Sequence, residues 1–271
     1  MWNFFEPIEA QWYGWALDGA ALWMRKNGEE WRFALRSIPL KRIEHDAHGP
    51  DSADPPEATE VSLAVAKGKR VALRPHPNST PYLVAARNDV KIHPGTEAWF
   101  TIALPPLFRV ELESGTVLFE ASPFSTTTTW FGDKTSGNLC LSLPIELDPE
   151  CRNENGDLVD STTKESLERA AHYLACRSLI RCKIAVKNHS KEALDVKRLA
   201  IFTNLMNVYE KADALVSDTV VISANADGSL QTNIDDAGTK HLAKIHSAPK
   251  TGLNEVLIQK GVSFLRSIAG L

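Results

Sequence analysis

Apolar and polar residues alternate with a period of two along much of the chain, which is the signature of half-buried β-strands. Trp31, Phe33 and Leu35 alternate with Arg32, Ala34 and Arg36, so the first three are expected to face an interior. Asp18-Gly19 and Asn27-Gly28 reach positive φ at little steric cost and divide residues 1–38 into a three-stranded meander. Strand patterns return at 61–65, 70–73, 82–85, 90–93, 98–104, 108–112 and 117–121, with turn residues such as Lys67-Gly68-Lys69, Pro94-Gly95 and Ser114-Gly115 between them. Short strands at this spacing, without helical stretches between them, predict antiparallel sandwiches rather than βαβ units.

A second β-rich stretch covers 126–147 and breaks at Asp148-Pro149. Thr162 and Glu165 then have capping-box spacing, and Leu167, Ala170, Ala171 and Leu174 follow at helical intervals, predicting a short internal helix. Strands are expected again at 179–187, 194–202, 208–209, 215–223 and 230–234. From about Asn254, Leu257, Phe264 and Ile268 suggest a terminal amphipathic helix. The fold class expected is all-β: two antiparallel β-sandwich units, immunoglobulin-like or jelly-roll, with the two helices added. The parts are an aromatic meander at 1–38, a flexible Pro-rich loop at 39–58, a first sandwich unit at 59–125 and a second at 126–271. One larger sandwich is the alternative.

Composition narrows the partners. The chain has 271 residues, 43% hydrophobic and 24% charged, which excludes global disorder, collagen and coiled coil. Lys+Arg at 30 against Asp+Glu at 34 gives a net charge of -4, without the basic footprint of a nucleic-acid binder. No apolar run reaches the roughly 20 residues of a membrane span, and Met1-Trp2-Asn3-Phe4-Phe5-Glu6 lacks a cationic signal region, so no membrane insertion and a cytoplasmic location are expected. Cys140, Cys151, Cys176 and Cys182 do not form a disulfide framework or a zinc spacing, and all four are expected as thiols.

Three stretches resemble a prokaryotic family of unknown function, domain-of-unknown-function family 432. They are Arg74-Pro75-His76-Pro77 running into 90–105 (VKIHPGTEAWFTIALP), Trp130-Phe131-Gly132 with Gly137-Asn138-Leu139-Cys140, and 184–202 (IAVKNHSKEALDVKRLAIF). The resemblance covers roughly residues 60–222. It implies a shared fold and transfers no catalytic residue.

Candidate chemistry is sparse. His45 and His48 beside Asp46 and Asp51 could hold a divalent metal, but they lie in a Pro-rich loop that does not preorganise ligands. Asn153-Glu154-Asn155-Gly156-Asp157 fails the calcium-loop pattern, with glycine one place early and Lys164 where a bidentate Glu is required. Hydrolase elbow, P-loop and dinucleotide signatures are missing, so no catalytic residue, metal site or cofactor is assigned. The hydroxyl run Ser125–Thr129 leads into Trp130, Asp133 and Lys134, which could meet a polar ligand.

Five of the seven tryptophans, Trp2, Trp12, Trp15, Trp23 and Trp31, fall in the first 31 residues. A meander has one solvated face unless something covers it, so Trp12, Trp15 and Trp23 are candidates for an outward aromatic surface. The function expected is a non-catalytic binding or protein-interaction sandwich that engages a protein partner or a second copy through this surface. The alternative is an enzyme on a polar small molecule or carbohydrate, which would need Asp133, Lys134 and His76 to converge.

Overall fold

The computed structural model describes residues 1–18, 20–39, 48–52, 54–55, 61–122, 124–132, 137–147, 149–150, 176–212, 214–227 and 229–248. The first strands are β1 (Trp12–Leu17), β2 (Ala20–Asn27), β3 (Glu30–Pro39), β4 (His48–Ser52) and β5 (Val61–Val65). Next come β6 (Val71–His76), β7 (Tyr82–Ile92), β8 (Glu97–Leu104), β9 (Leu107–Leu112), β10 (Val117–Ala121) and β11 (Phe124–Ser125). They are followed by β12 (Thr127–Phe131), β13 (Asn138–Leu147), β14 (Pro149–Glu150), β15 (Ile180–Asn188) and β16 (Leu194–Ile201). The last are β17 (Val208–Lys211), β18 (Ala214–Ser217), β19 (Thr219–Ala224), β20 (Leu230–Asp235) and β21 (Ala243–His246). A 3-10 turn at Thr203–Leu205 is the one helical element among the described residues, and no helix there is long and apolar enough to cross a membrane. The expected internal helix, the expected C-terminal helix and Cys151 lie outside the described residues.

The chain is all-β. The N-terminal sheet has six strands in the order β11-β3-β2-β1-β4, with β5 also on β3. Its two hairpins close where the sequence predicts them: Leu17 pairs Ala20 and Asn27 pairs Glu30, with Asp18 at φ +32° and Gly28 at φ +65° in the turns. Within the stretch read as a loop, His48–Ser52 runs antiparallel to β1. A three-stranded sheet (β10-β9-β6), a four-stranded sheet (β12-β13-β7-β16) and an eight-stranded sheet built around β15 complete the fold. Most ladders are antiparallel, but β11 runs parallel to β3, β13 runs parallel to β7, and β15 runs parallel to both β18 and β19.

The boundary drawn between 121 and 126 is bridged by four backbone ladders among the described residues, two on β8 and two on β7. Strand β8 pairs along its whole length with β15, and β7 lies between β13 and β16. One hydrophobic cluster runs from Trp2 to Ile222 and takes residues from every sheet. Such pairings are set by non-local packing, which a reading of local turns does not capture. Ring stacks join the sheets across this core, with Trp2 on Phe108 at 5.9 Å and Phe33 on Phe119 at 5.0 Å between ring centroids. The Asp18 carboxylate accepts hydrogen bonds from the backbone N–H (2.6 Å) and hydroxyl (2.8 Å) of Ser178, pinning the first hairpin to the start of β15. Cys140, Cys176 and Cys182 are buried thiols outside any disulfide. Burial pushes Cys176 and Cys182 up to about 12, which makes them poor nucleophiles.

Candidate functional site: the outer face of the N-terminal sheet

Strand alternation sorts the tryptophans. Trp12 and Trp15 are three residues apart on β1, so they point to opposite faces. Trp15 points inward and is 1% exposed, edge-on to Phe5 at 6.0 Å, and the expectation that it could face outward is corrected on that geometry. Trp31 and Phe33 share the inner face with it and are fully buried. Trp12 and Trp23 lie on the outer face and are half-buried. Trp23 sits between Gly14 and Ala34 on the neighbouring strands, and these two small residues are buried beside it although they face outward.

Three arginines share this face. Arg25 lies directly opposite Trp12, its guanidinium carbon 5.0 Å from the indole centre, and its other cross-strand neighbour is Arg32. Arg32 donates to Glu30 at 2.5 Å, and Arg36 lies opposite Ala21 and is exposed. Strand β5 adds an aliphatic row: Val61 opposite Ala34, Leu63 opposite Arg32 and Val65 opposite Glu30, with exposures of 50%, 60% and 72%. Aromatic rings and arginines beside exposed aliphatics are the residue types enriched at the centres of protein interfaces.

Trp130 belongs to a different sheet. It is 52% exposed on β12 and faces Leu139, 51% exposed, across the ladder to β13. Phe131, next to it, turns inward beneath the Arg198 guanidinium at 5.4 Å. Gly132 closes this hairpin at φ +109°, and a Cβ there would stand 2.6 Å from the Cα of Gly137, so the two glycine backbones touch. Within the hydroxyl run, Thr129 and Ser142 share a hydrogen bond of 2.6 Å across the strands. Asp133 and Lys134 lie outside the described residues.

The family model described as protein of unknown function (DUF432) matches residues 1–262. The chain belongs to this family. The match reaches well beyond the 60–222 stretch of the sequence resemblance and includes the whole N-terminal sheet. No curated protein and no solved structure matches the chain.

In this DUF432 protein the Arg74-Pro75-His76-Pro77 motif ends β6, and it contributes to a cluster of titratable side chains. Alternation puts Val71 and Leu73 of β6 with Phe108, Val110 and Leu112 of β9 in the core. The opposite face therefore carries Arg74, His76, Arg109 and Glu111, and Glu120 of β10 lies opposite Arg109. Glu111 stands 3.6 Å from both Arg74 and His76, and Arg109 is ion-paired with Glu120. Arg109 also lies 3.2 Å from His76 Nδ1. His76, with the arginines behind it, outweighs burial and holds the Glu111 carboxyl below the usual carboxylate range. His246 of β21 meets His76 edge to face at 4.5 Å, and burial, then the charges of His76 and Arg109, push His246 down to about 4.

The structure thus brings Trp12 and Trp23 together, puts Trp15 behind them in the core and holds Trp130 on another sheet. Sequence reading missed the arginines of the outer face, although Arg25 keeps the same phase along β2 as Trp23. It also missed the partners of His76, which come from two other strands, β9 and β21. Asp51 lies on β4 opposite Gly14, while His45 and Asp46 lie outside the described residues. Among the described residues no group of His, Cys, Asp and Glu side chains is placed to hold a metal ion.

Proposed function

We propose that this DUF432 protein is a non-catalytic binding protein, a β-sandwich of immunoglobulin-like or jelly-roll type acting in the cytoplasm, that recognises a protein partner through the outer face of its N-terminal sheet. The observation that carries the reading is that Trp12, Trp23, Arg25, Arg32, Val61 and Leu63 share one solvent-facing side. Half-exposed indoles with a guanidinium over one ring supply large contact area at low ordering cost, as binding hot spots do. An enzyme on a polar small molecule would need Asp133, Lys134 and His76 to converge, and around His76 Glu111 already faces His76 and Arg74 while Glu120 faces Arg109.

The test is recovery of the full chain from its own cells as wild type and as Trp23→Ser. A stoichiometric partner that is identified, rebuilt with the wild type from pure components and lost with Trp23→Ser supports the reading. Indistinguishable recovery from both forms would count against it.

A further inference from the structure

We propose that the protein partner presents an acidic segment to the outer face of the N-terminal sheet, and that its carboxylates pair with Arg25 and Arg32. This rests on the reading of that face as a protein-binding surface and names the chemistry of the occupant. The ladder registers set the face out in rows across the strands. One row runs Trp12, Arg25, Arg32, Leu63, and the next runs Asp51, Gly14, Trp23, Ala34, Val61. Two arginines therefore stand directly opposite each other, with an indole at one end of their row and an exposed leucine at the other. Like charges in direct cross-strand register are destabilising, and an anion set between them reverses the sign.

Arg25 is the less satisfied of the two. Arg32 donates to Glu30, two residues away on its own strand. Arg25 enters no ion pair among the described residues, and its Nε is shut off from solvent without a hydrogen-bond partner. Its guanidinium already lies over the Trp12 ring, so less freedom is lost when an acceptor arrives. A carboxylate matches the guanidinium fork with two parallel hydrogen bonds, and charge assistance makes those bonds strong. Exposed Arg36 adds a third positive charge on β3, against Glu30 at Arg32 and Asp51 across β1 from Trp23. This balance is too small for a nucleic-acid backbone, whose binding gathers many phosphate contacts. The indoles and the aliphatic side chains beside the arginines suit a segment in which apolar residues alternate with acidic ones.

Fluorescence anisotropy of a labelled, soluble peptide of Glu-Glu-Leu repeats, titrated with the full chain, tests this. A Gln-Gln-Leu peptide is its uncharged counterpart, and an oligothymidylate supplies phosphate in place of carboxylate. The wild type is expected to bind the Glu peptide saturably, at least about tenfold more tightly than either control, and to release it as ionic strength rises. Arg25→Gln and Arg32→Gln should each weaken binding by about tenfold. Lys197→Gln removes the same charge from an exposed position on β16 and should keep the wild-type affinity. Urea midpoints check that each variant is folded. Equal affinity for the Glu and Gln peptides, oligothymidylate binding as tight as that of the Glu peptide, wild-type affinity in both arginine variants, or an equal loss in Lys197→Gln would each overturn the proposal. If a partner from the cell is lost with Trp23→Ser but kept by Arg25→Gln and Arg32→Gln, the acidic chemistry fails and the outer-face reading stands. If the Glu peptide binds through Arg25 and Arg32 while no partner depends on Trp23, the arginine pair stands as an acidic-peptide site and the wider outer-face reading fails.

Discussion

His76 and His246 meet edge to face, their ring centroids 4.5 Å apart, and this contact joins the three-stranded sheet to the edge strand β21 of the eight-stranded one. The pair makes the fold sensitive to acid. His246 is held at about 4, below its ordinary value of 6.5, by burial and by the charges of His76 and Arg109. The folded state therefore takes up its proton later than the unfolded chain does. The stability linked to His246 is fully present above about 6.5, falls as the pH drops toward about 4, and loses nothing further below that. After discounting for partial exposure, the loss is about 1–2 kcal/mol. Denaturant unfolding of the wild type at neutral pH and at about pH 4.5 should show it, whereas His246→Phe should show a smaller difference between the same two conditions. Equal acid sensitivity in both proteins would remove His246 as the cause.

The tryptophans separate core from surface in one measurement. Trp15→Ala removes a fully buried ring packed on Phe5 and should cost about 3–5 kcal/mol. Trp23→Ser removes a half-buried ring on the outer face and should cost about 1 kcal/mol. Urea midpoints with unchanged slopes would give both values. Costs of similar size would mean that Trp23 is as much a core residue as Trp15.

What the sequence showed follows from the range of each physical cause. The hairpins at Asp18 and Gly28, and the inward phase of Trp31 and Phe33, rest on local turn chemistry and period-two alternation, and both were readable. Trp15 was read with Trp12 as an outward candidate although their three-residue spacing on one strand sets them on opposite faces, and alternation alone does not say which of the two faces is covered. The cover is Phe5, whose backbone bridges to Val71 of β6. The His76 cluster needed the registers of β6, β9 and β10 together with a strand near the end of the described chain. The same holds for the bridging of the two predicted sandwich units, since nothing local in 97–104 announces 180–188 as its neighbour.

Gly132 is required by its surroundings as well as by its backbone. Gly132→Ala would adopt φ near +109° and place a Cβ 2.6 Å from the Cα of Gly137, which is backbone and cannot swing aside. Gly28→Ala meets nothing within 4 Å and suffers only from its φ of +65°. Destabilisation by about 2–3 kcal/mol at Gly132 and about 1 kcal/mol at Gly28 is expected in thermal or denaturant melts. The reverse order would show that the Gly132 turn yields more easily than its contacts imply.

The Asp18 and Ser178 contact is a polar tie between the first hairpin and the start of β15, and it is buried on both sides. Asp18→Ala removes the carboxylate, one oxygen of which accepts both bonds, and leaves both a backbone N–H and a hydroxyl of Ser178 without that acceptor, away from water. A buried donor left unsatisfied costs about 1–3 kcal/mol, so Asp18→Ala should destabilise by about 2–4 kcal/mol. Ser178→Ala removes only the hydroxyl and keeps the backbone bond, so about 1 kcal/mol is expected. In the double variant the hydroxyl is no longer there to be stranded, so its cost should fall short of the sum of the two single costs, which is the mark of a direct interaction. Strict additivity in that cycle, measured by urea unfolding, would show that the two side chains act independently.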